Sequence, residues 1–160
     1  HCSLLRQAEI FFRGSHGVFL IHRLDREASG LMLLGHSKNA AAKLSELFQK
    51  NQITKHYQAE VLGNLAHKSP SGTITFPLDD KTAVTQFEAQ TYNPDTQTST
   101  VSITIKTGRL HQIRRHFEMI GFPVMGDPRY GEGNKNSEGM KLSAVGLRFQ
   151  CPFSGQVLSF

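Results

Sequence analysis

Residues 22–30, HRLDREASG, put His22, Arg23, Asp25, Arg26 and Glu27 into one short link between two apolar runs, GVFLI (17–21) and LMLL (31–34). A carboxylate in such a link can act as a nucleophile or general base if a cation keeps it ionised and aimed. A plain surface loop would carry the same residues to no chemical end, so Asp25 needs a partner elsewhere in the chain. The stretch GRLHQIRRHFEMIG (108–121) offers one, because it reads as a helix. At ~100° per residue, Leu110, Ile113, Phe117 and Ile120 share a stripe, Arg115 points nearly opposite as a solvated cation, and Arg114 falls at the stripe's border. A guanidinium at that border is partly desolvated and calls for a carboxylate or several carbonyls. Asp25 and Arg114 would each satisfy the other.

Other chemistries fit less well. His111 and His116 are five apart, about 140° round a helix, and no Glu stands where a zincin helix requires it. His22, His36, His56 and His67 show no metal-ligand rhythm, so no metal site is expected. HRLD faintly echoes the kinase catalytic loop, but a Gly-rich phosphate loop and Asp-Phe-Gly are both missing. There is no Walker A and no dinucleotide fingerprint either.

The elements that must position these residues follow from periodicity. SLLRQAEIFFR (3–13) and SKNAAAKLSELFQKN (37–51) read as helices, the second capped by Ser37, closed by Asn51 and lined by Ala41, Leu44, Leu47 and Phe48. The runs at 17–21 and 31–34 read as strands buried on both faces. KHYQAEVLG (55–63) alternates, with Tyr57, Ala59 and Val61 on one face and His56, Gln58 and Glu60 on the other. GTITFPL (72–78) reads as a strand, and TAVTQFEAQTY (82–92) with TVSITIK (100–106) as a hairpin across NPDTQTS, its second arm aligning Val101, Ile103 and Ile105. Residues 122–139 read as loop, and the tail as two strand-like pieces around CPFSGQ. The expectation is a single α+β domain over residues 1–160, a mostly antiparallel mixed sheet with helices packed against it.

Composition sets the outer bounds. The 160 residues are 38% hydrophobic and 19% charged, the composition of an ordinary globular chain rather than a disordered one. A net charge of +5 raises the odds of a polyanionic partner without deciding it. No apolar run approaches the ~20 residues that span a bilayer, so no membrane association is expected. Cys2 and Cys151 form no CxxC pair, a pattern that suits reduced thiols in the cytoplasm, although one long-range disulfide would be compatible with it. The chain starts at His1, which reads as the interior of a longer protein.

Three stretches, HRLDREASGLMLLG, ITKHYQAEVLG and KTGRLHQIRRHFEMIGFPVMGDPRYG, resemble in order and spacing the successive motifs of the RluA-type pseudouridine synthases. The resemblance runs from about residue 17 to the C-terminus. Departures are small: Ala28 stands for a usual Thr, Leu110 for Thr, Ser or Lys, and Arg115 for a common Val. KLSAVGL lacks the family's usual His, and the family's N-terminal strand would precede His1.

The resemblance implies the pseudouridine synthase catalytic domain and isomerisation of a uridine in ribosomal or transfer RNA to pseudouridine, with no cofactor. It assigns the essential carboxylate to Asp25, the tyrosine beside the flipped uracil to Tyr57 and the partner cation to Arg114. Arg23 becomes a candidate to fill the gap left by the everted base. Lys55, Lys106, Arg109, Arg115 and Arg129 become candidate RNA contacts, and Val124 and Met125 a candidate apolar floor under the base. Asp127 is expected to pin its loop by hydrogen bonds. Each has a bland counterpart, Tyr57 as a core tyrosine and the cations as surface charge. Two rival functions stand beside the main one, a non-catalytic RNA-binding module of the same fold and a hydrolase using Asp25 with a histidine.

Overall fold

The computed structural model of the chain describes residues 3–12 and 17–160; Cys2 lies outside them. Helix α1 (Leu4–Phe11) starts where the Ser3 hydroxyl accepts the Arg6 amide. Strands β1 (Phe19–Leu20) and β3 (Leu34–Gly35) pair antiparallel, and the chain between them touches down once as β2 (Ser29–Gly30). Helix α2 (Lys38–Gln49) and strand β4 (Thr54–Leu62) follow, then the short α3 (Leu65–Lys68) and β5 (Ser71–Ile74). Strands β6 (Thr85–Asn93) and β7 (Thr98–Ile105) form the expected hairpin. Helix α4 (Gln112–Met119) and a hairpin of β8 (Leu142–Gln150) with β9 (Val157–Ser159) complete the chain.

The main sheet runs β2-β8-β4-β7-β6-β5, with β9 also on β8, and only the β2–β8 pairing is parallel. This is the α+β, mostly antiparallel architecture expected from the sequence. Alternation along β4 and β7 turns Ala59, Val61, Val101, Ile103 and Ile105 onto one face, where Ile113, Phe117 and Val124 cover them. A smaller cluster, Ile53, Leu147 and Phe149, receives Leu44, Leu47 and Phe48 from α2 and Leu31 and Leu33 from the link. The ends of α2 are as read: Ser37 Oγ accepts the Ala40 amide at 3.1 Å, and Asn51 adopts φ 55°.

Four expectations are corrected. The runs at 17–21 and 31–34 are not strands buried on both faces; the first contributes Phe19 and Leu20 to their ladder and the second only Leu34, and Leu20 is 51% exposed. Here the backbone leaves the ladder to carry the charged link outward, so little of either run stays paired. Helix α4 begins at Gln112, because His111 takes a left-handed φ of 52°. Leu110 therefore lies ahead of the helix and is 60% exposed instead of joining the stripe. The strand read over 72–78 ends at Ile74, and the chain then turns through Asp79 and Asp80, both at positive φ.

Candidate active site

Asp25 is held from several directions. The Ala28 amide donates to the Asp25 carbonyl at 3.1 Å, closing a turn at the tip of the link. Beyond that turn Ser29 and Gly30 pair with Ser143 and Ala144, and the two serine hydroxyls meet at 2.6 Å. Gly30 has φ +110°, and a Cβ there would lie 2.1 Å from the Ala144 carbonyl oxygen, so the strand edge accepts only glycine. The carboxylate itself meets Arg114, whose Nη1 donates to Oδ2 at 3.2 Å.

Arg114 is 2% exposed, and Asp25 is its second partner rather than its first. Nε and Nη2 donate to the two carboxylate oxygens of Asp127 at 2.7 and 2.9 Å, a bidentate fork, and Nη1 also reaches Glu27 at 3.5 Å. Asp127 in turn accepts the amides of Arg129 and Tyr130, so it pins its loop as expected. Burial opposes the Arg114 charge, but Asp127 and then Asp25 more than offset it, and its pKa stands above the usual guanidinium value. Burial likewise pushes the Asp127 carboxyl up, yet Arg114 and the two amides hold it below the usual carboxylate range. The result is a fixed, fully charged pair presenting one spare N–H to Asp25, whose side chain is 24% exposed and can be reached from solvent.

That exposed side opens into a cleft of about 540 Å³, within the range of small-molecule sites. Asp25, Arg23, Lys55, Tyr57 and Arg109 all line it. Burial, and then the nearby Asp25 charge, push the Tyr57 phenol up to about 12, so it stays protonated at neutral pH. Lys55 is 8% exposed and donates to the Lys106 carbonyl at 3.0 Å; burial, and then Arg109, lower its pKa to about 8. Arg109 donates Nε to the Thr82 carbonyl at 2.9 Å.

The other expected residues lie elsewhere. Val124 is a core residue bridged to Val61, and Met125 lines a separate cavity with Glu60, Thr98 and Thr100, so neither is a floor for this cleft. On β4 and β7 those polar residues alternate with Tyr57 and Ile105, which puts the second cavity on the opposite face of the sheet. The apolar lining of the cleft instead includes Ala28, Ile105, Ile113 and Leu142, with Tyr57 beside them. Arg115 does not line the cleft; its guanidinium grips Asp79 through two bonds of 3.0 and 3.1 Å.

Sequence reasoning missed the framework behind the site. Gln112 donates to the Val84 carbonyl and Thr85 Oγ1 and accepts from Thr107 Oγ1 and the Arg109 amide, locking the approach to α4. His116 continues this chain from Thr85 Oγ1 to the Phe76 carbonyl. His111 meets the Tyr130 hydroxyl at 3.0 Å and lines the cleft. A buried glutamine one residue past a left-handed position leaves no periodic signal. Asp127 as the principal partner of Arg114 was open to inference, since MGDPRYG (125–131) comes soon after the helix ends at Met119.

Residues 1–119 match the family model described as RNA pseudouridylate synthase. The chain is 35% identical to a tRNA pseudouridine synthase C of Haemophilus ducreyi, over 85% of this chain and 68% of that protein. It is 33% identical to an uncharacterized RNA pseudouridine synthase of Bacillus subtilis, over 92% of this chain, and spans about half of that relative, 53%. Among solved structures, human RNA pseudouridylate synthase domain containing 1 superposes with a TM-score of 0.83 over 99% of this chain and 73% of that one. At 24% identity that likeness shows a shared fold.

Proposed function

The chain belongs to the RNA pseudouridylate synthase family, and from that premise we propose that it isomerises uridines in ribosomal or transfer RNA to pseudouridine, with Asp25 as the catalytic carboxylate. The reaction breaks N1–C1′ and forms C5–C1′; N1 gains a proton and C5 loses one. The observation that carries the proposal is the Arg114–Asp25 bond at the base of an open cleft. Arg114 cannot lose its proton at working pH, so the hydrogen bond it donates fixes the direction of the Asp25 carboxylate.

The remaining roles follow from position. Tyr57, a neutral phenol, offers a flat face for the uracil, and Ile105, Ile113 and Leu142 give the base an apolar bed. A stacked uridine must first leave its helix or loop, at roughly a few kcal/mol, and exposed Arg23 beside Asp25 is placed to hold the space it vacates. Lys55 and Arg109 on the wall of the cleft are the candidate phosphate contacts, with no sequence reading of their own. Arg115, engaged by Asp79, is a weak candidate for RNA contact. The chemistry requires no cofactor. The RNA substrates and the unpaired thiol of Cys151 support a cytoplasmic setting.

The test is a product assay with C5-tritiated ribosomal and transfer RNA transcripts. Release of tritium with pseudouridine recovered from the RNA supports the proposal. Free uracil with abasic RNA would replace it with hydrolysis, and binding without release would leave an RNA-binding module.

A further inference from the structure

The acid-bearing link closes on itself at a histidine. The backbone ladder between β1 and β3 stops at the Leu20–Leu34 pair. One step further on, the Leu33 amide donates not to backbone but to Nε2 of His22, at 3.0 Å. That single bond joins the two feet of the loop that carries Asp25 and Glu27. The imidazole lies flat on Phe48 of α2, centroids 4.4 Å apart and planes 22° from parallel, so its position is set by packing. An Nε2 that accepts must be unprotonated, which fixes the neutral Nδ1–H tautomer.

We propose that His22 is a positioning residue that clamps the catalytic loop only while its ring is neutral. Proton uptake turns Nε2 into a donor facing the Leu33 N–H, the bond is lost, and Asp25 is no longer held where Arg114 and the cleft require it. The charged and titratable groups that line the cleft with His22 are Lys55 and Tyr57 on β4, Arg109 and His111 ahead of α4, and Arg23 and Asp25 of the link itself; Phe48 and Gln49 of α2 are neutral. Burial lowers the His22 pKa, a backbone hydrogen bond with Arg23 raises it, and the Lys55 charge lowers it further. The net lowering keeps the clamp closed at neutral pH. Its contribution to stability is complete above the ordinary histidine value and is lost as pH falls toward the lowered one.

The inference deepens the isomerase reading, and its test has one arm that does not depend on that reading. In isotope-labelled protein without RNA, the His22 ring nitrogens and the Leu33 amide should titrate together, with Nε2 showing the signature of an unprotonated nitrogen above the midpoint. In the tritium assay, kcat should fall with acid below the ordinary histidine range, along the same midpoint. His22→Gln supplies an acceptor that does not titrate, so whatever activity it has should show no such acid limb. His22→Phe keeps the stack and loses the acceptor, and should lower kcat about 10-fold at neutral pH with little change in KM, the difference from the parent closing as acid opens the parent's own clamp. A Leu33 amide indifferent to the His22 titration overturns the clamp whether or not the protein is an isomerase. An acid limb that survives in His22→Gln overturns it too.

Discussion

The two walls of the cleft are built to different standards. On one side, β4, β7 and α4 form a packed block in which Val61, Val101, Ile103 and Phe117 have no measurable exposure and Arg114 is locked to Asp127. On the other, the link from Ile21 to Leu33 has no fully buried residue and hangs between two-residue strands. Its order comes from the packing of Leu31 and Leu33 on the smaller cluster and from discrete contacts: the His22–Leu33 bond, the β2–β8 pairing and the Arg114–Asp25 bond. The block supplies a fixed charge, and in the proposed reaction the link supplies the reactive group. An acid that must approach a ribose is better carried on the side that can adjust, provided its few tethers hold.

Breaking the block should cost most. Arg114→Ala leaves Asp127 buried without its cation, a loss of roughly 3–5 kcal/mol, and thermal melts should show it as a large drop in Tm. Arg114→Lys keeps a charge but not the fork; it should melt nearer the parent and still lose most activity, because one ammonium cannot serve Asp127 and Asp25 together. A Lys variant with full activity would show that the fork only holds the fold.

Loosening the link should cost less stability and more function. Gly30→Ala puts a methyl group against the Ala144 carbonyl in a backbone conformation alanine avoids, about 1–3 kcal/mol of strain. Hydrogen exchange should then report faster opening at Leu31, whose amide donates to Ala144, with β4 and β7 protected as before. Equal loosening in both regions would erase the contrast between the walls.

Lys55 sits where the walls meet. With a folded pKa of about 8 against an ordinary value near 10.5, its burial destabilises the protein below pH 8, and this cost is relieved as pH rises between the two. Lys55→Met should therefore raise stability at neutral pH, by on the order of 1 kcal/mol, with the gain shrinking in alkali. Parent RNA affinity should weaken as pH rises through about 8, and the variant should lose that dependence. Arg115→Ala, a half-buried group outside the cleft and already paired with exposed Asp79, should change Tm and the salt slope of RNA binding least of all.

Much of this was legible in the residues. The angle of Arg114 on its helix pointed to a desolvated cation, and alternation in KHYQAEV put Tyr57 on the core face. What failed shares a cause, the local departure of backbone from its regular period. A left-handed His111 removed Leu110 from the stripe, and the bridge from Val124 to Val61 carried Val124 into the core while Met125 fell on the far face of the sheet. The sharing of one guanidinium among Asp127, Asp25 and Glu27 depends on which loops fold back over α4, and periodicity holds no record of that. The floor of the cleft likewise draws Leu142 from the last hairpin, and only the sheet order brings that strand beside β4.

The most direct measurement is tritium release by Asp25→Asn, beside its RNA affinity. Asparagine keeps the shape and can still accept from Arg114, but it has no negative charge with which to attack the sugar or remove a proton. The account predicts that release falls below detection while affinity stays within about 3-fold of the parent. A variant that releases tritium at the parental rate would contradict it.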